Sequence, residues 1–112
     1  MAKSSTGMEE NVAALLSYIF GFITGLIFFL IEKESKFVRF HAMQSIVFSV
    51  ALLIIYIILG IIPVIGWILI PIVGLIGFVV WILLLIKAYQ GNLWKLPVLG
   101  NLAEKWSGSA AV

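Results

Sequence analysis

Residues 67–86, WILIPIVGLIGFVVWILLLI, run for twenty positions without one charged side chain. At about 1.5 Å per residue a helix of that length reaches roughly 30 Å, the thickness of a bilayer's hydrocarbon core. Working toward the N-terminus, residues 42–62 are apolar apart from Gln44, Ser45, Ser49 and Tyr56, and residues 12–31, VAALLSYIFGFITGLIFFLI, carry no charge. Pro63 and Gly66 supply a turn between the second and third runs. A turn at Pro71 and Gly74 would instead leave about a dozen residues for the last run, too few to cross. Pro71 therefore falls inside the third helix, where it predicts a kink.

The composition agrees with this reading. Of the 112 residues 63% are apolar and 11% charged, against about 45–50% and about 25% in soluble domains. The expected fold is all-α, a membrane helical bundle forming a single domain over residues 1–112. It comprises a flexible tail (1–11), transmembrane helices at 12–31, 42–62 and 67–86, a cytoplasmic loop (32–40), a turn (63–66) and a C-terminal amphipathic interfacial helix (97–106). In that last segment Val98, Leu99, Leu102, Ala103 and Trp106 share one helical arc, while Asn101, Glu104 and Lys105 share the other. Pro97 suits its first turn.

Lys33, Lys36 and Arg39 lie between the first two runs, and Lys87, Lys95 and Lys105 follow the third. With three crossings, six of the seven cations share one face, which predicts the N-terminus outside and the C-terminus in the cytoplasm. Both ends on one side would mean that the second and third runs form something other than two full crossings.

Several function classes are disfavoured at this point. Scattered cations do not make a nucleic-acid surface. The absence of Cys removes thiol catalysis and zinc ribbons. With one His, and with all five carboxylates outside the apolar runs, no set of nucleophile, base and orienter forms, and no Gly-rich phosphate loop opens a helix. A non-catalytic protein without cofactor or metal is expected. No ionisable group lies deeper in the runs than His41, which weighs against a proton- or ion-coupled pump.

Two patterns mark candidate sites. Ala13, Ser17, Gly21 and Gly25 recur every fourth residue, a small-residue stripe that lets helix backbones approach. It predicts packing against the second helix of the same chain, with a second copy as the alternative. On that second helix His41, Ser45, Ser49 and Tyr56 fall within about 80° of one another, with Gln44 about 60° to one side. A polar stripe in lipid points into the bundle or toward water. The alternative is that His41 and Gln44 bind headgroup water and the serines bond back to the preceding turn. Because the second run begins where the third ends, one polar cluster is expected from Glu32, Arg39, His41, Gln44, Ser45, Lys87, Tyr89 and Gln90. Arg39 would pair with Glu32 or lipid phosphate, and Gln44 would bond to the first or third helix.

Residues 30–45, LIEKESKFVRFHAMQS, and 86–91, IKAYQG, followed by Lys95, Pro97, Gly100, Ala103 and Glu104, resemble the signature of a widespread group of small prokaryotic membrane proteins, a domain of unknown function. That group is more distantly similar to the twenty-kilodalton membrane subunit of the chloroplast inner-envelope protein-import translocon. The resemblance covers about residues 13–106 and implies a prokaryotic cell membrane and association with partners in protein insertion or translocation. It brings no catalytic residues. The chloroplast relative is described with four spans, where this chain offers three and an interfacial helix. The expected function is that of a non-catalytic multi-pass membrane protein acting through helix packing, with the bilayer, membrane-protein partners or further copies of itself as partners. An oligomeric small-solute pore or transporter is the alternative.

Overall fold

A computed structural model describes Lys3 and residues 7–107. The expected tail over residues 1–11 lies partly outside them. Among the described residues the chain is all-helical, with five helices: α1 (Glu10–Ile19), α2 (Phe22–Ile31), α3 (Lys36–Ile61), α4 (Ile65–Tyr89) and α5 (Leu99–Ser107). The 26 residues of α3 and the 25 of α4 give helices of about 39 and 37 Å, and both are apolar and long enough to cross a membrane. They are joined at residues 62–64, next to the expected turn. A Cβ on Gly66 would run into the Leu59 carbonyl, so only glycine lets the two helices close this tightly. Pro71 lies inside α4.

Residues 12–31 do not form the expected single crossing. The run breaks at Phe20 and Gly21, and Gly21 takes φ 60, ψ −130, a conformation that favours glycine. Each ten-residue half reaches about 15 Å, half the hydrocarbon core. The halves fold back on each other: Thr24 Oγ1 accepts from the Phe20 N–H at 3.2 Å and donates to the Ser17 carbonyl at 3.1 Å. In a straight helix residues seven apart lie about 10 Å apart along the axis, so this bond requires a hairpin. A broken helix in lipid needs its freed backbone groups satisfied. Besides Thr24, Trp81 Nε1 donates to the Tyr18 carbonyl and Ser45 Oγ to the Gly21 carbonyl, the latter at 2.9 Å. These side chains hold the turn at the depth of Ser45 and Trp81.

The hairpin begins and ends at the same end of the bundle. Asn11 Nδ2 donates to the carbonyl of Tyr89, at the end of α4, and the end of α2 meets Arg39, near the start of α3. The termini of the described chain therefore share one end, in contrast to the expected opposite sides, and the departure lies in the first run rather than in the second or third. All seven cations gather at that end, and residues 62–66 carry none. The core sits there too: Ala13, Ala14, Tyr18, Val38, Phe40, Ala42, Leu84 and Ala88 are buried, whereas Leu53, Ile57, Ile61, Ile68 and Leu75 stand exposed on the far halves of α3 and α4.

The small-residue stripe is thus shared between two helices. Ala13 and Ser17 are buried on α1, while on α2 a Cβ added to Gly25 would meet the Ala42 carbonyl at 2.9 Å. Both halves face α3 of the same chain. After α4, residues 92–97 run without helix, and α5 packs on α3, with Gly100, Ala103 and Ser107 buried and Trp106 exposed.

Candidate functional site

Tyr18 of α1 and the main chain of the segment after α4 converge on Gln44 of α3. Its amide Nε2 donates to the Tyr18 hydroxyl at 3.0 Å and to the Trp94 carbonyl at 2.9 Å, and its Oε1 accepts from the Leu96 N–H at 2.9 Å. His41, one helical turn earlier, reaches the Asn92 carbonyl with Nε2 at 2.8 Å and the Tyr18 hydroxyl with Nδ1 at 2.6 Å. A carbonyl only accepts, so Nε2 carries the proton and Nδ1 receives the bond from Tyr18. The bonds therefore run in one direction, from Gln44 through Tyr18 to His41, and His41 in turn donates to Asn92. Tyr18, His41 and Gln44 are buried. The rings of Phe37 and Phe40 stand edge-on to His41 at 4.7 and 5.2 Å. Each polar atom has its partner, as burial requires.

The remaining residues of the expected cluster are held elsewhere. Arg39 Nη1 donates to the carbonyls of Phe29 and Glu32 at 2.9 and 2.8 Å, and its Nε donates to the Ser107 carbonyl at 3.4 Å. A guanidinium thereby closes the C-terminal ends of α2 and α5, where the helix dipoles favour a cation. Its carbon lies 4.2 Å from the centre of the Phe29 ring. The buried Glu32 carboxylate accepts from the N–H groups of Glu34 and Ser35, ahead of α3, and Ser35 Oγ caps α3 by accepting from Val38. Ser45 secures the hairpin turn. Tyr89 is exposed, Lys87 is half-buried, and Gln90 Oε1 accepts from Asn92 Nδ2 at 3.3 Å. The ion pair of Lys95 with Glu104, 2.8 Å, lies in partly exposed side chains and contributes little.

Sequence reasoning missed Tyr18 and the strap of residues 92–97. Tyr18 carried a signal, a phenol within an apolar run. Asn92, Trp94 and Leu96 act through their main chain, and those groups leave no mark in side-chain identity.

Because the hairpin turns back at half depth, α3 and α4 continue beyond it with a notch beside them. Ser49, Leu52, Tyr56, Gly74 and Trp81 line a cavity of about 270 Å³, which meets a second of about 460 Å³ along Ser49, Leu52 and Tyr56. Among the described residues neither the Ser49 nor the Tyr56 hydroxyl makes a hydrogen bond.

Comparison with known proteins places the chain. The model of the magnetosome magnetite crystal formation protein family matches residues 7–103. The chain belongs to this family. It is 50% identical over 107 residues to a UPF0132 membrane protein of Methanocaldococcus jannaschii, covering 96% of each chain. A UPF0132 membrane protein of Archaeoglobus fulgidus is 52% identical over 101 residues, 90% of this chain and 98% of the relative. A second Methanocaldococcus jannaschii relative is 42% identical over 100 residues, 89% of this chain and 71% of its own. No solved structure matches. The chain is thus a member of a membrane-protein family of unknown function with archaeal relatives. The more distant likeness to the chloroplast translocon subunit is not part of what these matches show.

Proposed function

We infer that the protein is a non-catalytic, multi-pass membrane protein that works by associating with segments of other membrane polypeptides, in insertion or translocation. The observation that carries this reading is the half-depth notch, lined by the Ser49 and Tyr56 hydroxyls, which have no partners among the described residues, and by Gly21, Gly74 and Gly77. In hydrocarbon a hydroxyl gains from a partner, and small residues let a foreign backbone approach. The distant resemblance to a translocon subunit supports the same reading. The family's description refers to magnetite crystals. Among the described residues no three His, Cys, Asp or Glu side chains gather as metal ligands do, so the proposal runs through polypeptide partners rather than iron. A solute path through one copy would have to open beneath the strap, which closes the cation-rich end over His41 and Gln44. With all seven cations at that end, the positive-inside tendency supports a cytoplasmic side for both ends of the described chain.

A photo-crosslinker at Leu52, in the notch, tests the reading in native membranes against the same group at Ile58 and Leu75 on the exposed faces. Protein adducts should form from Leu52 and not from the other two. Equal yields at all three positions, or no protein adduct from Leu52, contradict it.

A further inference from the structure

What holds the strap in place is its main chain. His41 binds the Asn92 carbonyl, and Gln44 binds the Trp94 carbonyl and the Leu96 N–H. The three groups recur at every second residue, the repeat of an extended chain. Gln44 spans the carbonyl of one residue and the N–H of the residue two further on, as a residue of a parallel neighbouring strand does. One strap side chain is buried, Leu96, which joins Ala14, Tyr18, Leu84 and Ala88. Leu93, Lys95 and Pro97 are exposed and Trp94 half-buried. The strap is bounded by two left-handed residues, Gly91 at φ 82 and Val98 at φ 63. For a β-branched residue that conformation is adopted only under constraint, and such strain gathers at segments that move.

We propose that the groove beneath the strap, between α1, α3 and α4, is a binding site for an extended apolar segment of another polypeptide. His41 and Gln44 read the segment's main chain, the Leu96 pocket takes one apolar side chain, and the chain's own strap fills the site in the closed state. The chemistry selects this occupant. A lipid offers no N–H two residues from a carbonyl, and a helix has already spent those groups on itself. The proposal deepens the reading above, because a protein that handles membrane segments meets them before they are helical.

The probe is a fluorescent peptide with the sequence of residues 90–98, QGNLWKLPV, titrated against the full chain in detergent micelles. The tethered strap competes at an effective concentration in the millimolar range, so Leu96→Ser, which loosens it, should bind the peptide about tenfold or more tighter than the unaltered chain. Adding Gln44→Ala should abolish that binding, and a peptide with Ser in place of its second leucine should not bind. Equal affinity of the unaltered and Leu96→Ser chains, or of the two peptides, overturns the proposal. A second measurement leaves the strap intact and avoids dependence on one variant's folding. Ala14→Cys should form a disulfide with a peptide carrying Cys at its second leucine, and no capture at millimolar peptide counts against the site. A disulfide between Ala14→Cys and Leu96→Cys copies of the chain assigns the groove to a second copy and overturns the proposal as stated. Peptide binding without notch adducts sinks the reading above and leaves this site standing. Notch adducts without peptide binding do the reverse.

Discussion

Gln44→Ala should release the strap. The Leu96 N–H is buried with its residue, 7% exposed, and Gln44 Oε1 is the acceptor it would lose. Leaving such a group unsatisfied costs about 1–3 kcal/mol. The Trp94 carbonyl belongs to a half-buried residue and regains water, which puts its loss near the lower end of that range. Tyr18 keeps His41 as acceptor, so its hydroxyl contributes little. Truncation also leaves a small gap, worth roughly 1 kcal/mol. Together these effects come to about 3–5 kcal/mol, or roughly a hundredfold to several thousandfold in the equilibrium for local opening. Hydrogen–deuterium exchange read on peptides covering residues 92–97 should accelerate by that factor, while residues 50–61 keep their rate. Gln44→Glu retains the acceptor for Leu96 but turns a carboxylate oxygen toward the Trp94 carbonyl, so it should open the strap as well. Unchanged exchange over residues 92–97 in Gln44→Ala would refute the assignment of Gln44 as the strap's anchor.

Gly25→Leu places a Cβ 2.9 Å from the Ala42 carbonyl, where backbone rather than a flexible tip must yield, and should lower thermal stability in detergent by about 1–3 kcal/mol. Unchanged melting would mean that α2 does not rest on α3. Thr24→Val keeps the shape but strips the Phe20 N–H and Ser17 carbonyl of their shared partner, at a cost of about 1–3 kcal/mol; Thr24→Ser should restore most of it, and equal stability of the two variants would remove Thr24 from the turn. Arg39→Ala frees the carbonyls that end α2 and α5, and charged hydrogen bonds of this kind are each worth about 1.5–3 kcal/mol. Proteolysis within residues 99–107 should quicken, and Arg39→Lys, a point charge without the planar fork, should rescue it only in part.

The residues differ in how openly they announced their places. The two long apolar helices were legible because residues 42–62 and 67–86 are long, apolar and separated by Pro63 and Gly66, and composition alone decides that much. The hairpin was not. Residues 12–31 are as apolar as a crossing, and hydropathy does not distinguish one helix of twenty residues from two of ten. The break depends on Gly21 adopting φ 60 and on Thr24, Ser45 and Trp81 supplying bonds, and two of those three residues lie on other helices. The four-residue spacing of Ala13, Ser17, Gly21 and Gly25 holds a packing surface, but one folded in two against α3. Of the polar residues, His41 and Gln44 stood out because buried polar side chains on an apolar helix need partners. Those partners, Tyr18 and three main-chain groups of the strap, became visible only once the chain was folded. Arg39 and Glu32 were marked by their charge, yet what Arg39 grips is carbonyl oxygen at helix ends, a target that no residue type signals.

The half-depth hairpin is the central claim, and the cysteine-free sequence allows it to be tested directly. Single cysteines at Met8, Val64 and Asn101 can be probed with a membrane-impermeant maleimide in intact cells and in inverted vesicles. Met8→Cys and Asn101→Cys should both react from the cytoplasmic face alone, and Val64→Cys from the opposite face. Reaction of Met8→Cys from outside, with Asn101→Cys reacting from within, would restore a full crossing over residues 12–31 and contradict the hairpin.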